Sequence, residues 1–432
     1  TTMYDMSYPD SDSIFRYQLD NNITVLVYQN PAAESVVIEG LIRAGALAES
    51  REQAGLASFT ADMLLRGTER WDFDSIYEKL ESVGANLHIG GGRHITDFAG
   101  RGLVEDLDLL LDLLAAALRQ PTFPHDQVEA ERGEILTGLQ IRANDTRQMA
   151  GLKFRELLYQ NHPYGQSVDG YEDSIRDLKR EDLVSFHDRY FGPDGMIITV
   201  VGGINPEEAL AKVKEVFGDW KEDQLPMPDA PPAARPSQTL RIHVHMPQKM
   251  QSDIVLGLPG PLRSAPDYLE ASLANTILGV FGMMGRLGQN VREKQGLAYY
   301  AYSHLHGGLG PSPWYVSTGV APEKVELALE SVLAEIERLC AEPVPQVELA
   351  DSQAYRTGSM PVGLETNSGL ASVITDIELY DLGLDYLRHL SGKIMAMTPE
   401  TVQAAAQKYL SSHQLAIAVA GPNGTGENNK TS

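Results

Sequence analysis

Only one of the 432 residues, Cys340, is a cysteine. A single thiol excludes internal disulfides, which suits either a reducing compartment or a bacterial periplasm. Cys340 falls at a predicted helix end with no histidine beside it and reads as a packed, unreactive thiol. Positive charge is also scarce: 35 Lys and Arg stand against 59 Asp and Glu, a formal net charge of −24. Such a surface repels a phosphate backbone and argues against nucleic acid as a partner. It suits either the steering of basic peptides or simple solubility. No apolar run reaches the ~18 residues of a membrane helix, so a membrane-spanning role is not expected. The glycines of 279–288 fit neither a dinucleotide fingerprint nor a P-loop, and no G-x-S-x-G elbow marks a serine hydrolase. The chain opens at Thr1 without an initiator methionine. A removed targeting segment would leave such an opening, so bacterial periplasm and cytoplasm both stay open.

What the chain does have is an internal repeat. Residues 178–202 read LKREDLVSFHDRYFGPDGMIITVVG and residues 397–421 read MTPETVQAAAQKYLSSHQLAIAVAG. Each is a capped helix ending in a Tyr-apolar pair, then a polar turn and an apolar strand closing on glycine. A second match, EDLDLLLDLL at Glu105 and EKVELALESV at Glu323, recurs at nearly the same offset. The repeat predicts two copies of one fold. Between the copies, residues 221–238 are proline-rich and lack hydrophobic periodicity, as expected of an extended linker. The predicted division is a first domain over 1–220, a linker over 221–239, a second domain over 240–421 and a disordered Gly/Asn-rich tail over 422–432.

Within the first copy, strands are predicted at 23–28 and 35–42, helices at 53–66 and 73–83, and a hairpin over 85–102. Strands and helices mix without strict βαβ alternation, which favours α+β over a doubly wound sheet.

Residues 55–68 read GLASFTADMLLRGT. The segment resembles the zinc-binding helix of the pitrilysin and mitochondrial-processing-peptidase family, G-L-A-H-F-L-E-H-M-L-F-K-G-T. In that family's inverted H-x-x-E-H motif two histidines four apart share a helix face and hold one metal, with a glutamate beside them as base. Here Ser58 and Asp62 stand at the histidine positions and Ala61 at the glutamate. The family's distal zinc carboxylate lies in a helix of the form E-R-x-V-I-L-E-E-I. The matching segment here reads ERGEILTGL from Glu131, which puts Thr137 and Gly138 at the paired-carboxylate positions. A catalytic zinc needs three protein ligands, and Asp62 alone cannot supply them. The resemblance covers about Phe15 to Gly421 and implies two homologous α+β domains forming half of a clamshell.

Residues 279–303, GVFGMMGRLGQNVREKQGLAYYAYS, are similar to the family's G-G-G-x-x-S-R-L-F-x-x-L-R-E-K-R-G-L-A-Y-S. Family members carry an Arg and a Tyr here that project into the active chamber, and Arg292 and Tyr299 keep that spacing. A guanidinium and a phenol are the donor types suited to a polarised peptide carbonyl. A helix over 283–295 stopped by Gly296 and a strand over 297–305 would place them. Alternation along the strand sets Tyr299 on one face with Ala301, Ser303 and Leu305, and Tyr300, Tyr302, His304 and His306 on the other. Phe281, Met283 and Met284 depart from the glycine-rich family loop.

The resemblance implies a chain that binds no cofactor itself. It would complement a homologous H-x-x-E-H-bearing, zinc-containing partner, bind peptide substrate and supply Arg292 and Tyr299, with self-association also open. The alternative is an inactive structural or peptide-holding scaffold. The pairs His243/His245 and His304/His306 each share a strand face, but no carboxylate is predictably beside them, so a relocated metal site is a poor third reading. Gly90-Gly91-Gly92 would let another backbone approach or simply form a turn.

Overall fold

The computed structural model describes residues 8–280 and 285–422. The predicted tail beyond 422, and Phe281, Met283 and Met284, lie outside the described residues.

The chain forms two compact α+β units. In the first, six strands form one sheet: β1 (Ile14–Gln18), β2 (Thr24–Gln29), β3 (Ser35–Ile42), β4 (Asn86–Gly91), β5 (Thr96–Leu103) and β6 (Ile197–Gly202). Their order is β1-β2-β6-β3-β5-β4. In the second, β7 (Leu240–His245), β8 (Ser252–Pro259), β9 (Ala298–Leu305), β10 (Pro313–Val320) and β11 (Ala416–Gly421) take the order β7-β11-β8-β10-β9. Five strands of the first sheet match the second in order and direction. The pairs β2/β6 and β7/β11 are parallel, and the remaining pairs are antiparallel. The β6 sequence IITVVG and the β11 sequence AIAVAG are buried at every position. Such continuous apolar runs mark strands covered on both faces.

The units are not continuous in sequence. The first comprises Thr1–Thr137, Ser167–Asp229 and Met360–Ser391; the second comprises Gly138–Gln166, Ala230–Ser359 and Gly392–Ser432. Each sequence half therefore lends a helix to the other half's sheet. Thr146–Leu158 packs on β7, β8 and β11, and Asn367–Leu379 packs on β3 and β6. A threonine hydroxyl ties each exchanged helix down. Thr375 and Thr199 of β6 share a hydroxyl hydrogen bond of 2.7 Å, and Thr146 Oγ1 donates to Asp253 of β8 at 2.5 Å. Residues 220–236 carry no regular secondary structure.

Candidate functional site

The helix that aligns with the family's metal helix is short, Leu56–Met63, where 53–66 was expected. A 3-10 turn over Arg51–Gln53 precedes it, and Gly55 begins it at φ 97°, a left-handed conformation that favours glycine. The buried Glu49 carboxylate accepts from the N–H groups of Gly55 (3.0 Å) and Ala57 (2.5 Å), satisfying donors the first turn leaves open. Burial pushes the Glu49 carboxyl up to about 8, against the pull of those two N–H groups.

This helix lies directly on the edge strand β4. A Cβ at Gly91 would stand 2.6 Å from Ser58 Cα and 2.8 Å from the Ala57 carbonyl. Gly91 is thus the residue that lets the helix backbone approach. Gly90 and Gly91 are strand residues, and the predicted hairpin closes just beyond them.

Ser58 and Asp62 are half-buried and Ala61 is fully buried. Burial and the nearby Glu131 and Asp169 carboxylates raise the Asp62 carboxyl to about 7, while Arg66 pulls it down. Arg66 forms an ion pair with Glu131 and another with Glu134 at 3.0 Å, both on the His125–Ala143 helix. The Arg66 guanidinium is a counter-cation of this acidic group. Thr137 is exposed and donates to its own helix through the Gly133 carbonyl at 2.8 Å. Gly138 is exposed, and a Cβ there would meet nothing within 4 Å. Packing therefore does not demand glycine where the family has a carboxylate. Among the described residues no group of three His, Cys, Asp or Glu side chains could hold a metal ion. The residues present do not fit zinc: Ser58 offers only a hydroxyl, Ala61 offers nothing, and Asp62 is the sole carboxylate of the motif.

The second constellation is built on the second unit. Arg292 lies in the last turn of a helix spanning Gly288–Lys294 that is π-type. The wide turn closes through Gln295 N–H to the Asn290 carbonyl (3.1 Å) and Leu297 N–H to the Val291 carbonyl (3.0 Å). Such wide turns concentrate at functional sites. Gly296, at φ 59°, then reverses the chain into β9. The turn is held from below. Asn290 donates to Glu335 at 2.6 Å, Gln295 accepts from Ser331 at 3.2 Å, and Lys324 donates to the Gly296 carbonyl at 3.0 Å.

Tyr299 departs from the predicted alternation. Ala301 and Ser303 are buried, yet Tyr299 is 60% exposed. The pairing with β10 explains it. Gly319 pairs with Tyr300 and Val320 pairs with Ala298, so Tyr299 is the extra residue of a β-bulge. A bulge re-aims a side chain, and this one turns Tyr299 off the core face.

The neighbouring Tyr300 locks that bulge. Its phenol crosses β10 to donate to Asp253, a carboxylate with no solvent exposure that also accepts from Thr146 (2.5 Å) and Gln251 (2.9 Å). The crossing passes over Gly319, paired with Tyr300 on one side and Asp253 on the other. A Cβ at 319 would stand 2.4 Å from Tyr300 Cε1 and 3.0 Å from Asp253 Oδ1. Burial, then the Asp253 carboxylate, push the Tyr300 phenol well above its usual range. Arg147 stacks over the Tyr300 and Tyr302 rings and donates to the Tyr302 phenol at 2.5 Å. Pattern reading missed Asp253, Arg147 and Gly319, because their roles exist only once an exchanged helix and three strands meet.

His304 and His306 stack at 6.1 Å, and burial together with His306 and Arg155 depresses the His304 imidazole. His243 and His245 lie on the exposed face of β7. Cys340 is half-buried in the last turn of the Val325–Ala341 helix, and burial raises its thiol to about 11, as suits an unreactive packing residue.

Two models of one family match the chain: "Insulinase (Peptidase family M16)" over residues 24–170 and "Peptidase M16 inactive domain" over residues 177–355. The chain belongs to the M16 peptidase family. Its M16 relatives include an uncharacterized zinc protease of Mycobacterium tuberculosis, 26% identical over 95% of this chain and 93% of the relative. Another is the uncharacterized zinc protease YmxG of Bacillus subtilis, 23% identical over 95% of this chain and 99% of the relative. Among solved structures, the peptidase M16 inactive domain from Pseudomonas fluorescens superposes with a TM-score of 0.90 at 25% identity, covering 96% of this chain and all of that one. A protease from Helicobacter pylori shares the fold, with a TM-score of 0.89 at 20% identity and coverage of 96% and 100%. The α+β two-domain M16 fold is thereby established for this chain. No helix among the described residues is long and apolar enough to cross a membrane.

Proposed function

We propose that this M16 chain is the non-zinc-binding, complementing subunit of a two-chain zinc metallopeptidase. It binds peptide substrate and offers Arg292 and Tyr299 to the active site of a homologous partner that carries H-x-x-E-H and the zinc. The single observation that carries this reading is the bulge at Tyr299. A scaffold has no use for a bulge that exposes a phenol beside a braced turn, whereas a donor offered to a substrate carbonyl needs one. In this reading the guanidinium N–H groups of Arg292 and the Tyr299 O–H donate to the carbonyl oxygen as it gains charge, and this chain moves no proton and activates no water. The exposed edge of β4, with its small glycines, is a natural place for a peptide strand to add.

The test is co-purification with the H-x-x-E-H-bearing homologue from the same genome, followed by a peptide-cleavage assay. The pair is expected to cleave in a chelator-sensitive way and this chain alone not at all. Arg292→Ala or Tyr299→Phe should each lower turnover about 10- to 1,000-fold, the range for losing one oxyanion donor. Undiminished turnover in both variants would remove the catalytic part of the proposal. The second reading, an inactive scaffold, draws on the inactive-domain description of the Pseudomonas fluorescens structure. An assembled pair with full activity in both variants would favour it.

A further inference from the structure

The two sheets match strand for strand except at one edge. β2 and β7 hold the same place in their sheets, each parallel to the closing strand of its repeat. The register is also the same. Thr24 N–H donates to the Met196 carbonyl and Leu240 N–H to the Leu415 carbonyl, each at 2.9 Å. At the other end, Asn30 N–H donates to the Gly202 carbonyl at 2.7 Å and Met246 N–H to the Gly421 carbonyl at 2.9 Å. Val25 and Val27 therefore correspond to Arg241 and His243.

In the first sheet β1 fills the outer edge of β2, antiparallel, with Tyr17 opposite Val25 and Phe15 opposite Val27. Among the described residues no strand pairs with the outer edge of β7. Leu240 and Met246 direct their N–H groups to β11, and alternation assigns Ile242 and Val244 to the same side. The N–H and C=O groups of Arg241, His243 and His245 thus point outward, and all three residues are exposed. The apolar side chains register the missing strand too. β2 is buried at its first four positions, whereas Leu240, Ile242 and Val244 are only half-buried. β7 carries no proline, lysine or bulge, devices that blunt an edge. Its one full charge, Arg241, is tied back to Glu326 at 3.0 Å.

We infer that the outer edge of β7 is a docking site for an extended segment of a partner polypeptide, added antiparallel as β1 is added to β2. Main-chain hydrogen bonds to residues 241, 243 and 245 supply the affinity, and alternate side chains supply the selectivity. Aliphatic side chains on one face of the segment complete the cover over Ile242 and Val244. Aromatic side chains on the other face, at the places of Phe15 and Tyr17, lie opposite His243 and Arg241, and a guanidinium stacks well on such rings. A second copy of this chain is disfavoured as the occupant. Outward residues must face outward residues, so every antiparallel register sets Arg or His against Arg or His. The edge is distinct from β4, and the inference does not depend on the peptidase reading.

The probe is the fluorescein-labelled peptide SIFVYQK, which is residues 13–18 with Arg16 replaced by valine and a lysine added for solubility. Titration with the full-length protein should give saturable anisotropy with a dissociation constant of ~10 μM to ~1 mM. With free peptide at about ten times that constant, amide exchange across 240–245 should slow about tenfold. Methylating the amide nitrogens of the peptide's Phe and Tyr, which face β7 in this pairing, should weaken binding about tenfold or more. Methylating those of its Ile and Val should change binding less than about threefold. His243→Pro removes one outward N–H and leaves the β11 ladder intact, so it should weaken binding about tenfold or more, and His243→Ala less than about fivefold. No saturable binding, equal effects of the two methylated peptides, undiminished binding by His243→Pro, or slowed exchange at β4 in place of β7 would each overturn the assignment. So would a concentration-dependent dimer of the protein alone with slowed exchange over 240–245, which would give the edge to a second copy.

Discussion

Replacing Asp253 by alanine should cost the second unit about 3 kcal/mol. The carboxylate has no solvent exposure, and three side chains converge on it: the Thr146 hydroxyl, the Tyr300 phenol and the Gln251 amide. Each buried donor left without an acceptor costs ~1–3 kcal/mol. The lower end applies to Gln251 and Thr146, which can turn to other partners. Tyr300, which spans Gly319, would keep only the long 3.4 Å contact of its phenol with the Ser317 hydroxyl. For a unit of this size, about 3 kcal/mol corresponds to a fall of roughly 6–12 °C in melting temperature. Asp253→Asn keeps one acceptor oxygen but sets an NH2 against a donor, so a smaller loss of ~1–2 kcal/mol is expected. The decisive assay is a double-mutant cycle with Tyr300→Phe, followed by urea denaturation. The phenol and carboxylate should couple by ~1–3 kcal/mol. Strict additivity, or a cost of Asp253→Ala below about 0.5 kcal/mol, would refute the idea that this pair locks the bulge under Tyr299.

Gly319→Ala should destabilise by ~1–3 kcal/mol, because its Cβ would stand 2.4 Å from Tyr300 Cε1; restored stability in Gly319→Ala combined with Tyr300→Ala would locate the clash. Gly91→Val should cost a similar ~1–3 kcal/mol by pushing the Leu56–Met63 helix off β4, read by thermal melting. Burial, with Arg93 and Arg43 nearby, holds the His94 imidazole down at about 4 from its ordinary 6.5. The unfolded chain then takes up a proton that the folded one refuses as pH falls from about 6.5 towards 4, so stability is lost across that window and not above it. His94→Gln should therefore flatten the acid limb by ~1 kcal/mol, a figure reduced for the partial exposure of the ring. An unchanged acid limb in chemical denaturation would contradict it.

Much of the architecture was legible because local signals and tertiary structure agree. The repeat blocks 178–202 and 397–421 fold as the helix and buried strand their patterns require, Arg180–Tyr190 with β6 and Pro399–Tyr409 with β11. The helix predicted over 73–83 forms over Phe73–Ser82, and Gly84 follows it at φ 66°. The exchange of the Thr146–Leu158 and Asn367–Leu379 helices was not legible. An apolar stripe says that a helix is covered, but not which sheet covers it. Tyr299 was misplaced for a related reason: strict alternation assumes a regular ladder, and a bulge opposite Gly319 and Val320 breaks it. Of the candidate site, the degenerate positions Ser58, Ala61 and Asp62 could be read directly from residue type. The guanidinium of Arg66 paired with Glu131 and Glu134 could not, because it depends on the bend after one helix meeting a distant second helix.

The central claim, that this M16 chain supplies donors but no metal of its own, is tested most directly by single-turnover peptide cleavage in a reconstituted pair. All zinc is assigned by elemental analysis of each separated subunit. The account predicts zinc in the H-x-x-E-H-bearing partner only, no cleavage by this chain alone, and a loss of about 10- to 1,000-fold when Arg292→Ala or Tyr299→Phe replaces the wild type. Stoichiometric zinc in this chain, together with cleavage in the partner's absence, would contradict it.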